Sequence, residues 1–168
     1  AKVTASTVKA MATRATSRLL LRMELAACRN SAASWVTAMN HGAWESGAKP
    51  DCILIGTGSE LSLALDAGKQ LAREDGVNVR VVSMPSWELF EKQPEAYRAS
   101  VLPASCTRRV AVEAGIAQGW DRYVGSKGRT VTINHYGASA PAKVLAEKFG
   151  FTVANVLAVA REVMRQPS

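Results

Sequence analysis

Residues 56–60, with the sequence GTGSE, have the types and spacing of a ligand-binding loop. The two glycines allow a tight turn, and Ser59 stands where the N-cap of a following helix is expected. Free backbone N–H groups and the positive end of a helix dipole meet at such a turn, which suits an anion. The loop could therefore bind an anion, and its candidate residues are Gly56, Thr57, Gly58, Ser59 and Glu60.

The alternative interpretation of residues 56–60 is a purely structural turn that binds no ligand. Glu60 places a negative charge in the first turn of the predicted helix, where it would repel an anion. The loop matches neither the GxGxxG pattern of dinucleotide-binding proteins nor the GxxxxGK[ST] pattern of P-loop proteins. Both interpretations stay open at the level of the sequence.

Three residues further along the chain are candidates for an interface. Glu113 ends a predicted strand, where it could be a functional carboxylate, could hold the turn at Gly115 or could pair with an arginine. Trp120 and Tyr123 share one face of a predicted helix, and aromatic side chains are enriched in the centres of interfaces. The alternative for both aromatic residues is burial within their own domain. The interface candidates are therefore Glu113, Trp120 and Tyr123.

The sequence contains no recognisable catalytic or metal-binding constellation. Its two histidines, His41 and His135, lie far apart, and neither has Ser-His-Asp or metal-ligand spacing around it. The three cysteines, Cys28, Cys52 and Cys106, show no CxxC spacing and are interpreted as free thiols. We predict no catalytic residue and no metal ligand in this chain.

The charge distribution separates the first residues from the rest of the chain. The net charge is +7, but residues 1–34 hold six basic residues and one acidic residue, a net charge of +5. The remaining residues are nearly balanced, so a nucleic-acid partner is not indicated there. No apolar run approaches the roughly 20 residues that span a bilayer, so no membrane partner is expected.

The apolar pattern predicts an α/β fold organised around the apolar run at residues 52–55. A helix and a second strand at residues 77–84 follow it, which is typical of a right-handed parallel crossover. Further strands are predicted at Gly42–Glu45, 109–113 and 130–134. Further helices are predicted at 87–91, at 95–101, around Trp120 to Val124, at 140–149 and from Thr152 or Asn155 to Met164. The short connection after Gly42–Glu45 favours an antiparallel hairpin with the strand at residues 52–55. The prediction is a three-layer α/β/α sandwich around a five-stranded, mostly parallel mixed sheet.

Six motifs occur in the order and spacing of one family. They are ILIGTGSE (53–60), VRVVSMPSWELFEKQPEAYRASVLP (79–103), RVAVEAG (109–115), GWDRYVG (119–125), YGASAPAKVL (136–145) and FGFTVANV (149–156). This series resembles the C-terminal domain of transketolase. The resemblance implies a sheet order of 1-3-2-4-5 with strand 1 antiparallel. It also implies a domain that supports structure and dimer contact and contributes no catalytic group.

The resemblance also carries expectations about a parent enzyme. Transketolase transfers two-carbon ketol units between sugar phosphates of the pentose phosphate pathway, using thiamine diphosphate and magnesium bound by other domains. The implied partners are those remaining domains and a second subunit, and this chain alone is expected to bind no cofactor and to be inactive. Two alternatives remain: a stand-alone anion- or small-molecule-binding regulatory module, and the same domain of a sibling thiamine enzyme such as dihydroxyacetone synthase.

Residues 1–41 do not match the family. They are interpreted as a basic leader or linker, and residues 42–168 as the transketolase C-terminal-like domain. A composition rich in Arg and Ser and poor in acids is also typical of an organelle transit peptide. We expect a cytoplasmic location, with organelle targeting by this segment as the alternative.

Overall fold

A computed structural model of the chain describes residues 42–47 and 49–166, so the predictions for residues 1–41 lie outside it. The described residues form five strands in one sheet, in the order β1-β3-β2-β4-β5. The strands are β1 (Gly42–Glu45), β2 (Cys52–Gly56), β3 (Val79–Ser83), β4 (Arg109–Val112) and β5 (Arg129–Val131). β1 runs antiparallel to β3 and the other neighbouring strands pair in parallel. The predicted fold class and strand order are confirmed.

β2 is the central strand, as the unbroken apolar run predicted. Every residue of Cys52–Gly56 is buried, which is the pattern of a parallel strand covered on both faces. Ile55 pairs with Val82 of β3 on one side and with Ala111 of β4 on the other. The flanking strands are thus those that the sequence indicated.

The predicted hairpin between β1 and β2 is wrong, because β1 pairs with β3. The connection from β1 to β2 crosses the beginning of β3 and bonds to it instead of forming a tight turn. The Ser46 N–H donates to the Val79 carbonyl at 3.0 Å, and the Asp51 N–H donates to the Asn78 carbonyl at 2.7 Å. The Asp51 carboxylate in turn accepts from the Asn78 N–H at 2.9 Å. These bonds hold the connection against the start of β3, and β2 pairs with β3 on one side and β4 on the other.

Six helices cover the sheet within the described residues. They are α1 (Glu60–Asp75), α2 (Trp87–Glu91), α3 (Glu95–Val101), α4 (Asp121–Val124), α5 (Ala142–Lys148) and α6 (Val153–Arg165). Ser86 and Thr152 cap α2 and α6 by accepting from the N–H groups of Leu89 and Asn155. None of these helices is long and apolar enough to cross a membrane.

The sheet separates two hydrophobic cores because successive strand residues point to opposite faces. On one face Leu54 packs with α1 and α6, including Leu71 and Val156. On the other face Ile53 and Ile55 pack with Phe90 of α2 and with the residues of α3 and α4. Each core lies between the sheet and one of the two outer helix layers of the predicted sandwich.

The last strand is shorter than the sequence predicted. β5 ends at Val131, and the next residues leave the ladder to bond with the loop after β4. The Ile133 N–H donates to the Gly115 carbonyl at 2.7 Å, and the Asn134 side-chain oxygen accepts from the Ala117 N–H at 3.0 Å. The β-branched run at residues 130–134 therefore supports the carboxyl end of the sheet rather than extending the strand.

Two arginines that the sequence analysis did not single out hold the C-terminal end of α3. Arg80 of β3 and Arg109 of β4 both pair with Ile53 of β2, so they occupy one row across the sheet. Arg80 donates to the carbonyls of Ser100 and Val101 and forms an ion pair with Glu45 at 2.6 Å. Cations at the end of a helix satisfy its last carbonyls and complement its dipole.

Arg109 satisfies four backbone carbonyls at once. Its guanidinium donates to Cys106 O at 2.9 Å, Tyr123 O at 2.7 Å, Leu102 O at 3.2 Å and Pro103 O at 2.9 Å. Burial lowers the pKa of this guanidinium from its ordinary value. Arg109 thus ties the loop after α3 and the end of α4 to the first residue of β4.

Candidate functional site

The carboxyl ends of β2 and β4 bring two predicted sites together. Residues 56–60 connect β2 to α1, and Gly56 is required there because a Cβ would lie 2.7 Å from the Leu61 Cα. The Thr57 hydroxyl donates a short hydrogen bond to Oε2 of Glu113, which follows β4. From the sequence alone, the loop and Glu113 are predicted as separate sites. Their contact makes them one polar crevice at the end of the sheet.

The charges in this crevice favour a structural turn over an anion site. Ser59 is the N-cap of α1, but its hydroxyl donates to the Glu60 carboxylate at 2.7 Å instead of capping the helix. The carboxylates of Glu113 and Glu60 thus accept hydrogen bonds from the two hydroxyls of the loop, those of Thr57 and Ser59. An anion would have to approach both negative charges. The anion site at residues 56–60 stays a prediction, and it is one that this geometry does not support.

The two aromatic interface candidates lie inside the chain. Trp120 is 1% exposed and Tyr123 is 2% exposed, and their rings are 5.9 Å apart in a T-shaped contact. Trp87 packs edge-on against Trp120 at 5.1 Å, and Phe90 packs against Tyr123 at 5.9 Å. Within the described residues both side chains therefore follow the burial alternative, whereas Glu113 is half-buried. An interface role for these three residues stays a prediction.

Replacing Gly119 with alanine should destabilise the domain by about 2 kcal/mol. Gly119 has a φ of +89°, and a Cβ there would lie 2.7 Å from a ring carbon of Trp87. The substitution combines backbone strain with a clash in the aromatic cluster. Gly137→Ala is the matched control, because its Cβ would meet no atom within 4 Å. Chemical unfolding of both variants measures the difference, and equal stability for the two would contradict the packing described for Trp87.

Among the described residues, the remaining histidine and cysteines make contacts within their own domain. Nδ1 of His135 lies 2.8 Å from the Tyr136 carbonyl oxygen, and its ring packs against Phe149 at 4.8 Å. Cys52 and Cys106 are buried and free, as the sequence indicated, and burial raises the pKa of the Cys52 thiol to about 12. A thiol with so high a pKa is a poor nucleophile. His41 and Cys28 lie outside the described residues.

The donor groups do not fit magnesium and a diphosphate. Magnesium requires several oxygen ligands in nearly octahedral geometry, usually carboxylates beside the phosphates. Among the described residues no group of three or more His, Cys, Asp or Glu side chains could hold a metal ion. The adjacent acids Glu74 and Asp75 both pair with Arg161, at 2.9 and 2.7 Å. Hydrogen bonds from Gln70 and then from Arg161 lower the pKa of the Glu74 carboxyl, and the bond from Arg161 lowers the pKa of the Asp75 carboxyl.

A family model described as the transketolase-like TK C-terminal domain matches residues 41–152. Transketolase 2 of Pasteurella multocida is 58% identical over 115 residues, which are 68% of this chain and 17% of the relative. A chloroplastic transketolase of Craterostigma plantagineum is 56% identical over 119 residues, which are 71% of this chain and 23% of the relative. The solved transketolase of Leishmania mexicana has 44% identity and a TM-score of 0.66, covering 74% of this chain and 18% of that one.

The match to the family model covers the whole sheet and the helices α1 to α5. The matched region begins before β1 and ends next to the first residue of α6. The chain spans about a fifth of the length of the relatives and the solved structure that it matches.

Proposed function

The chain belongs to the transketolase-like TK C-terminal domain family, and from this we propose that it is the C-terminal structural and dimer-assembly domain of a transketolase. The observation that supports this most strongly is the match over residues 41–152, which includes all five strands in the sheet order that the resemblance implies. The partners are the remaining domains of the enzyme and a second subunit.

The parent enzyme in this proposal transfers two-carbon ketol units between sugar phosphates of the pentose phosphate pathway. Thiamine diphosphate and magnesium are bound by its other domains, because the carboxylates described here are single or paired with arginine. The hydroxyl and carboxylate of the Thr57–Glu113 crevice bond to each other. This domain therefore contributes packing and assembly rather than a catalytic group. Residues 1–41 serve as a leader or linker, and the enzyme is cytoplasmic.

An exposed apolar rim supports the assembly role. Every residue from 134 to 144 is exposed, and this stretch follows the carboxyl end of β5. Tyr136 is 99% exposed, and Val144 of α5 is 41% exposed. Ile116, in the loop after β4, is 60% exposed. Ile116 and Tyr136 follow the strands β4 and β5, so exposed apolar side chains are available near that end of the sheet for contact with another domain or subunit.

Calorimetric titration of the chain with thiamine diphosphate and magnesium tests the part of this proposal that concerns catalysis. We expect no saturable heat of binding at millimolar cofactor, and no ketol transfer by the chain alone, because the described donor groups do not form a magnesium site. The intact Pasteurella multocida relative serves as the positive control. A saturable, magnesium-dependent heat with this chain would overturn the proposal that the cofactor is bound elsewhere.

A further inference from the structure

A cleft of about 220 Å³ opens at the amino ends of β4 and β5, at the opposite end of the sheet from the Thr57–Glu113 crevice. It lies between Thr107, two residues before the start of β4, and the turn that joins α4 to β5. Drug-sized ligands occupy pockets of about 300 Å³ or more. The volume of this cleft suits a smaller group.

The cleft is lined by cations and hydroxyl groups. Arg109, Arg122 and Lys127 supply three positive charges, and Thr107 and Ser126 supply two hydroxyls. None of the described residues that line it is acidic. Arginine, lysine and hydroxyl donors in one concave site are the groups that bind phosphate oxygens.

The charge at the back of the cleft has no carboxylate partner. Arg109 directs its guanidinium to four backbone carbonyls, which satisfy its hydrogen bonds and leave its positive charge uncompensated. The two carboxylates that act on Arg122, those of Glu91 and Asp121, do not line the cleft. Glu91 is also paired with Arg98 at 2.8 Å. An anion in the cleft would therefore meet a positive potential.

The turn also offers donors at the mouth of the cleft. Ser126 is exposed, and within the described part of the chain it makes no hydrogen bond. Arg122 is exposed, with its guanidinium carbon 5.9 Å from the centre of the Tyr123 ring. Both side chains are thus at the surface, where a ligand can reach them.

We propose that this cleft is a phosphate-binding site, which takes inorganic phosphate or the phosphate group of a small phosphate ester. Arg122 and Lys127 bind the phosphate oxygens, Ser126 donates from the turn, and Arg109 supplies the fixed charge behind them. The site is separate from the crevice at the carboxyl end of the sheet and does not depend on ketol transfer by the parent enzyme.

Titration of the full chain with inorganic phosphate, followed by the amide NMR signals of Ser126 and Lys127, tests this proposal. Sodium chloride at the same ionic strength controls for general charge screening. We expect saturable shifts with phosphate, in the millimolar range, and none that saturate with chloride. Shifts that are equal in the two salts would overturn the proposal.

Substitutions then test the residues assigned to the site. Lys127→Gln and Arg122→Gln should each raise the dissociation constant for phosphate about tenfold, and Lys143→Gln, on exposed α5, should leave it unchanged. Unaltered amide spectra outside the cleft would show that the variants fold. Equal phosphate affinity in Lys127→Gln and Lys143→Gln would contradict the assignment.

A parallel titration with a hexose phosphate identifies which compound supplies the phosphate group. Tighter binding than that of inorganic phosphate supports an ester ligand, and equal binding supports free phosphate.

Discussion

Replacing Ile55 with aspartate is expected to lower the free energy of unfolding by about 4 kcal/mol or more. The Ile55 side chain is 0% exposed and lies in the centre of the sheet, between Val82 and Ala111. Aspartate there would be a carboxylate with no partner in an apolar core, or would have to take up a proton to enter it. Either state costs several kcal/mol.

Ile116→Asp is the matched control, because it makes the same chemical change at a side chain that is 60% exposed. Substitutions at exposed positions usually change stability by less than about 0.5 kcal/mol. Urea unfolding followed by circular dichroism measures both variants. An Ile55→Asp protein that unfolds cooperatively at the same urea concentration as Ile116→Asp would show that β2 is not the central strand.

Replacing Arg109 with methionine is expected to cost about 3 kcal/mol. Methionine keeps the length and apolar stem of the side chain but removes the donors to four carbonyls, among them Leu102 O and Tyr123 O. Carbonyls that remain buried without a donor carry their full desolvation cost. The loop after α3 and the end of α4 should lose their attachment to β4 together.

Arg73→Met provides the control for loss of a basic side chain, because Arg73 is exposed in the last turn of α1. Arg109→Lys should recover only part of the loss, since an ammonium group cannot reach four carbonyls in the fork geometry of a guanidinium. Thermal and urea unfolding rank the three variants. A loss for Arg109→Met no larger than that for Arg73→Met would contradict the role assigned to this arginine.

The elements that sequence reasoning predicted well are those specified by local signals. The apolar run at residues 52–55 identified the central strand, and the predicted bounds of α2 at residues 87–91 agree with the structure. Pro94 stands at the N-cap of α3, where proline is compatible with a helix start, and the predicted bounds of that helix agree with the structure. Each of these features depends on residues that are close together in the chain.

The features that were missed depend on contacts between distant residues. The partner of β1 was wrong because the bonds from Ser46 and Asp51 to β3 cannot be inferred from the length of the connection. Strand β5 was predicted too long because the β-branched pattern continues through Ile133, which bonds to the Gly115 turn. The contact between Thr57 and Glu113 joins residues that are 56 positions apart.

The row formed by Arg80 and Arg109 is a feature that the sequence indicates and that was missed. Arg80 and Arg109 are charged residues within or at the start of otherwise apolar strands, and a charge in such a position needs a buried partner. Their partners proved to be carbonyls at the end of α3 rather than carboxylates, apart from the ion pair of Arg80 with Glu45. The pattern predicts that a partner exists but not which one.

The central claim is that this chain is an assembly domain, and a domain exchange tests it most directly. The matched segment of the Pasteurella multocida relative, with which this chain is 58% identical over 115 residues, is removed in one variant. In a second variant it is replaced by the corresponding segment of this chain. Sedimentation velocity then measures the oligomeric state of the intact relative and of both variants.

We expect the truncated relative to lose the dimer and the exchanged variant to regain it, because this chain would restore the contact surface at residues 134–144. Ketol transfer should return with the dimer. A truncated relative that still sediments as the intact enzyme does, or a folded exchanged variant that remains monomeric, would contradict the assembly role.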